Sequence, residues 1–338
     1  KPPLTKKDLR GFGGERLVQL NAGLKKRPYR GLIIVNPYAT TVSERLKNLV
    51  IYALQGRFEV EVEATESQDH ATEIGRDARD GDYDIVVAFG GDGTVNEVVN
   101  GLAGTDIPVS FLPGGNTNVV CRTLGIPNDV VDATEHLLSL ADTFHPRRID
   151  LGMVNDRYFV FSCGAGIDAS VVKKVDAKPK LKAKAGPWFY SWSALSAYTR
   201  NYMMHPVRIG VEAAGRSVQG VTVLAQNSDP FTYFANKPIH VCSNVAIDDG
   251  KLGMVVLKRA NQLDAMSVIP RLLSNRLAAT KHNQVEAFEK LDVAELRSLS
   301  TDEEGEIRPF PVQVDGDFIG DHEQVTLRAA PASLSIIA

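Results

Sequence analysis

From Gly31 onward, short apolar runs alternate with longer amphipathic stretches. Gly31-Leu32-Ile33-Ile34-Val35 has no polar position, the pattern of a strand covered on both faces, as in a parallel sheet. Ser43 then stands as the cap of a helical repeat through Leu46, Leu49, Val50 and Ala53. Phe58-Glu59-Val60-Glu61-Val62 alternates instead, which predicts a strand near a sheet edge. A polar helix over 67–79, a strand over 84–89, a helix from Thr94, a strand over 107–112 and helices across 116–140 complete the series. Strands alternating with helices predict a parallel α/β sheet joined by right-handed crossovers.

The pattern changes near residue 145. Strand-like stretches follow at 157–162, 207–212, 217–226, 251–258 and 311–314, divided by Gly and Asp-Gly turns. Helical stretches lie at about 188–203 and 262–278. This predicts a second, mainly antiparallel domain, and 338 residues are enough for two cores. Residues 1–29 are basic and polar without periodicity, and 301–306 reads as a solvated acidic loop.

Composition narrows the function. A net charge of -3 argues against a general nucleic-acid binder, so no nucleic acid is expected as partner. Cys121, Cys163 and Cys242 form no CxxC pair, which excludes a thiolate zinc site and predicts small buried side chains in a reducing compartment. No apolar run is long enough to span a bilayer, so a cytoplasmic protein is expected.

The most informative stretch is Phe89-Gly90-Gly91-Asp92-Gly93-Thr94-Val95-Asn96-Glu97. An apolar strand ends, three glycines surround one aspartate, and a helix begins. Glycines allow positive φ and a close approach of backbone to ligand. Successive N–H groups and the helix N-terminus favour an anion there. A carboxylate inside such a nest repels a phosphate unless a cation stands between, so Asp92 points to Mg²⁺. Thr94 and Glu97 also have capping-box spacing. A second turn, Leu112-Pro113-Gly114-Gly115-Asn116-Thr117-Asn118, follows the next strand and would lie on the same rim.

Gly-Gly-Asp-Gly-Thr with Val-Asn-Glu-Val-Val-Asn-Gly-Leu, then Leu-Pro-Gly-Gly-x-x-Asn, resembles the diacylglycerol kinase catalytic family, which includes bacterial lipid kinases, sphingosine kinases and ceramide kinases. Asn36-Pro37 and Asp315-Gly316-Asp317 extend the match, which covers about residues 30–338. The resemblance implies an ATP site on a domain like that of NAD kinases and phosphofructokinases, and a lipid site on a β-sandwich-like second domain. The last strand, at Leu334-Ser335-Ile336-Ile337, would return to the first domain. The expected division is therefore an extension at 1–29, an ATP-binding domain at 30–145 with 325–338, and a lipid-binding domain at 146–324.

By the same resemblance, ATP would be held by Asn36, Thr65, Gly90, Gly91, Gly93, Thr94, Asn96, Gly114, Gly115, Asn116 and Asn118. Mg²⁺ would belong to Asp92 and Asp317, and Asp248-Asp249-Gly250 is either a structural-cation site through Asp249 or another Asp-Gly turn. Asp315 would take the proton of the lipid hydroxyl, with Asp92 as the rival base; on local pattern alone Asp315-Gly316 is a hairpin turn. The chain departs from the family where Asn116 replaces a hydroxyl, Val119 an acid, and Tyr38-Ala39 the small pair after Asn-Pro; Asp317 stands where Glu is common. Trp188, Tyr190 and Trp192 would line an acyl-chain pocket, after a lysine-rich stretch from Lys173 to Lys184 that suits transient docking on an anionic membrane surface or a solvated loop. A homodimer is allowed. The rival functions are phosphorylation of a soluble acceptor, as in NAD kinase, and nucleotide-binding regulation without transfer.

Overall fold

The computed structural model describes residues 29–176, 206–234, 237–242, 244–259, 271 and 279–338. Trp188, Tyr190, Trp192 and the helix expected at 188–203 lie outside the described residues, as does most of 262–278. Of the lysine-rich stretch, Lys173 is the one residue with a described side chain. The chain forms two compact units: one takes the described residues up to Ile149 together with Ser333–Ala338, the other runs from Asp150 to Ala332.

The first unit contains β1 (Tyr29–Val35), α1 (Glu44–Leu54), β2 (Phe58–Ala64), α2 (His70–Asp77), β3 (Ile85–Gly90), α3 (Asp92–Leu102), β4 (Val109–Pro113), α4 (Val119–Thr123) and α5 (Val130–Leu140). Its strands are parallel in the order β2-β1-β3-β4, and Ile336 near the chain end pairs in parallel with Val109. β3 and β4 are buried at every position, whereas β2 alternates and is an edge, as its sequence predicts. Ser43 caps α1 by accepting from Leu46 N at 3.2 Å. The register places Val35 beside Phe89 and Gly90 beside Pro113, so Asn36 and both glycine turns leave the carboxyl edge of the sheet together.

The second unit contains β5 (Arg147–Val154, its first three residues in the first unit), β6 (Arg157–Phe159), β7 (Ser162–Gly166), α6 (Ile167–Asp176), β8 (Ile209–Ala213), β9 (Arg216–Gly220), β10 (Thr222–Gln226), β11 (Thr232–Phe234) and β12 (Lys237–Ile239). β13 (Leu252–Leu257), β14 (Val285–Leu291), β15 (Val293–Ser298), β16 (Phe310–Val314), β17 (Asp317–His322) and β18 (Gln324–Ile336) complete it, β18 ending in the first unit. One antiparallel sheet has the order β14-β13-β10-β7-β16-β17. A second runs β18-β15-β8-β9, with β5 attached to β18 and β6 to β5. Cys163, Val223, Met254, Phe288 and Val312 of the former pack with Val211, Leu296, Val325 and Leu327 of the latter in one buried core, a β-sandwich.

Two expected single strands are divided. The stretch 217–226 belongs to both sheets, because the chain crosses from β9 to β10 at Gly220-Val221. A Cβ at Gly220 would stand 2.4 Å from Val256 Cγ1, so only glycine passes there. The stretch 157–162 likewise separates into β6 and β7. All three cysteines are buried, and burial followed by the Asp92 carboxylate pushes the Cys121 thiol up to about 12.

Candidate functional site

On the first unit, α3 begins at Asp92 with the extended Gly91 as its N-cap, two residues before the expected start at Thr94. The leading amides of this 11-residue helix, from Asp92, Gly93 and Thr94, have no intrahelical acceptor. The expected Thr94–Glu97 capping box does not form, because Gly91 occupies the cap. Glu97 instead accepts from Asp69 N at 3.0 Å and Ala71 N at 3.2 Å, so it caps α2 across space.

The glycines serve close approach rather than left-handed backbone, since Gly90, Gly91, Gly93, Gly114 and Gly115 all lack positive φ. A Cβ on Gly114 would stand 2.8 Å from Gly90 Cα, and one on Gly115 2.9 Å from Gly91 Cα. Gly114 N donates to Gly90 O at 2.7 Å. The two turns therefore touch backbone to backbone and form one surface. A Cβ on Gly90 would meet Thr94 Oγ1 at 2.5 Å, which keeps the Thr94 hydroxyl against the turn.

Neighbouring side chains lock this surface. Asn36 Nδ2 donates to Thr94 Oγ1 at 3.0 Å, while its Oδ1 accepts from Tyr38 N at 2.9 Å. Asp92 Oδ1 accepts from Val120 N at 3.3 Å and so reaches the start of α4. Asn118, buried and at φ 45, accepts from Gly115 N and donates to Gly115 O, both at 2.9 Å, and to Asn128 Oδ1 at 2.8 Å. Its amide thus shapes the second glycine turn. Asn116 at the tip is exposed, Thr65 is buried behind the end of β2, and Asn96 is fully buried with Asn100 Nδ2 donating to its Oδ1 at 3.1 Å.

These residues suit a nucleotide polyphosphate: helix-start amides at Asp92 and Gly93, two glycine turns packed backbone to backbone beside them, and hydroxyl and amide groups at their border. They also suit Mg²⁺, which takes one or two carboxylates and otherwise phosphate and water oxygens; Asp92 is such a carboxylate. No group of three or more metal-ligating side chains occurs among the described residues. Asp249 is exposed and closes its own turn, accepting from Ala246 N at 3.3 Å and Lys251 N at 3.0 Å.

On the second unit, Asp315 and Gly316 form the two-residue loop between β16 and β17, at φ 49 and φ 89. Successive left-handed positions are what such a hairpin requires. Asp315 is only 5 % exposed. Its Oδ1 accepts from Phe161 N at 2.9 Å and Ser162 N at 3.0 Å, and its Oδ2 from Val160 N at 2.7 Å. Asp315 N in turn donates to Ser162 O at 2.8 Å. The segment 160–162 was invisible as a site in the sequence, because it contributes only backbone. Asp317 opens β17 and is half-buried. Asp168 and Gln313 also meet beside this loop, at 2.9 Å, and no sequence motif singled them out.

Residues 30–154 match the model of the diacylglycerol kinase catalytic domain, and residues 162–338 that of the YegS C-terminal NAD kinase beta sandwich-like domain. A diacylglycerol kinase of Bacillus subtilis is 30% identical over 290 residues, covering 81% of this chain and 89% of that protein. One from Staphylococcus aureus is 28% identical over 306 residues, 86% of this chain and 87% of the relative. The crystal structure of a diacylglycerol kinase from Bacillus anthracis superposes with a TM-score of 0.66 at 22% identity, over 93% of this chain and 98% of that one, and so shares the fold. With both of its domains matched, this chain belongs to the diacylglycerol kinase catalytic family.

Proposed function

We propose that this chain is an ATP-dependent lipid kinase that moves the γ-phosphoryl group to a lipid hydroxyl, with diacylglycerol as acceptor and phosphatidic acid as product. The observation that carries the reading is the fused pair of glycine turns over the start of α3, a surface made for a polyphosphate. The names of the curated relatives support the choice of acceptor.

In this reading the amides of Gly91, Gly93 and Thr94 bind phosphate oxygens, and Gly90, Gly114 and Gly115 let the two turns pack together beside them. Asn36 and Asn118 brace the two turns, Thr65 and Asn96 support them from behind, and Asn116 borders the nucleotide. Asp92 would hold Mg²⁺, which when bound would offset the phosphate charge that builds during transfer. Asp315 accepts a hydrogen bond from the lipid hydroxyl, orients it, and takes its proton as the new P–O bond forms and ADP leaves. Three amide donors hold the carboxylate in one orientation for that task. The protein visits an anionic membrane surface from the cytoplasm to reach its lipid.

The acceptor is tested by offering diacylglycerol, sphingosine, ceramide and NAD, each with γ-labelled ATP and Mg²⁺. The reading expects label in phosphatidic acid at a rate at least about tenfold above every other product, since a site built for one hydroxyl environment discriminates by 1.4 kcal/mol or more. Preferential labelling of NAD would replace it with the soluble-acceptor kinase.

A further inference from the structure

Gln313 on β16 is buried, at 3 % exposure, and lies opposite Gly164 of β7. Its side chain spans two partners. Nε2 donates to Asp168 Oδ2 at 2.9 Å, and Oε1 accepts from Gly316 N at 2.8 Å. Asp168 stands in the first turn of α6, which packs over β7, β16 and β17, and a carboxylate is favourable at a helix N-terminus. The pair runs over Gly164 because nothing else fits: a Cβ there would stand 2.0 Å from Asp168 Oδ2 and 2.7 Å from Gln313 Nε2. Burial pushes the Asp168 carboxyl up, and the Gln313 amide opposes that shift.

The geometry has a direction. A glutamine amide flips freely when nothing distinguishes its two ends. Here the acceptor-only carboxylate takes the NH₂ end, so the oxygen must face Gly316. That oxygen fixes the second residue of the left-handed pair whose first residue is Asp315. The amides of 160–162 hold the Asp315 carboxylate from one side, and Gln313 holds the loop from the other.

We propose that Gln313, oriented by Asp168 across Gly164, is a positioning residue that fixes the aim of the Asp315 carboxylate. Beyond the assignment of Asp315 itself, this makes a donor–acceptor polarity, rather than a particular side chain, the requirement at positions 313 and 168. The inference rests on the lipid-kinase reading above.

The test uses that polarity. Gln313→Glu keeps an acceptor for Gly316 N but sets two carboxylates against each other. Combining it with Asp168→Asn reverses donor and acceptor and restores the bond. The full chain is assayed on diacylglycerol vesicles with Mg²⁺-ATP, and each variant's melting transition is recorded. Gln313→Glu is expected to lower kcat about 10- to 100-fold with the KM for ATP unchanged, as a misplacement near 1 Å would. The double variant should recover to within about threefold of the parent, since its hydrogen bond is again complete. Should Gln313→Glu be too unstable to assay, Gln313→Met supplies the single-variant rate, lowered likewise. A folded single variant with parental kcat, or a folded double variant that stays as slow as the single, overturns the inference. A parent that phosphorylates no lipid instead overturns the lipid-kinase reading, so the two failures are told apart.

Discussion

Asp315→Asn is expected to lower kcat on diacylglycerol by about 10²- to 10⁴-fold while the affinity for ATP stays near the parent's, the range of a lost proton acceptor. The left-handed backbone at position 315 is no obstacle, because Asn adopts φ 49 readily. The cost lies in the carboxylate's own bonds. One Asn oxygen can still accept from Phe161 N and Ser162 N, but the NH₂ would face Val160 N–H, now 2.7 Å from Oδ2. Leaving that buried donor without an acceptor costs about 1–3 kcal/mol. The melting midpoint should therefore fall by roughly 2–10 °C, with a single cooperative transition retained. Steady-state kinetics at a temperature below that transition separates the two effects. A folded Asp315→Asn protein with near-parental turnover would transfer the proton-acceptor role to Asp92.

Asp92→Asn is expected to abolish the Mg²⁺-dependent part of ATP binding. With ATP at about 100 times its dissociation constant, the parent should gain about 2.7 kcal/mol, a rise of roughly 5–10 °C in the melting midpoint. Asn keeps an oxygen for Val120 N, so the start of α4 and the ligand-free midpoint should be preserved to within about 1 kcal/mol. Thermal melts with and without Mg²⁺, in both proteins, read the result. An ATP-dependent rise that is the same without Mg²⁺ and in the variant would remove the metal role from Asp92.

The first unit was largely legible from local pattern because its strands and helices from β1 to α5 follow one another in sequence, with only the end of β18 arriving from far along the chain. β1 is apolar from Gly31 to Val35 and lies inside the sheet, and β2 alternates and lies at the edge. The antiparallel unit was less legible, since its order depends on pairings far apart in the chain. At Gly220-Val221 the apolar positions shift from Val218 to Val221 and Val223 as the chain changes sheet, a phase slip at one glycine inside an otherwise uninterrupted strand-like run. At the candidate site, the motif located the glycine turns but not their reason. Their glycines admit one another's backbone, a contact between residues 24 positions apart that no local rule reports. Glu97 satisfied a capping rule in sequence and caps a different helix in space. Asp315 was found by its motif, whereas its anchors are backbone amides, and Gln313 and Asp168 come together only through the packing of α6 on β16.

The central claim, that phosphoryl transfer goes to a lipid, is tested most directly by ATP turnover with and without diacylglycerol vesicles, following the label of γ-labelled ATP. If Asp315 orients a lipid hydroxyl as proposed, water is a poor acceptor and the basal rate should be low. The account predicts that diacylglycerol raises ATP turnover at least about tenfold and that the transferred label is recovered in phosphatidic acid. Turnover indifferent to the lipid, with label released only as inorganic phosphate or not at all, would contradict it.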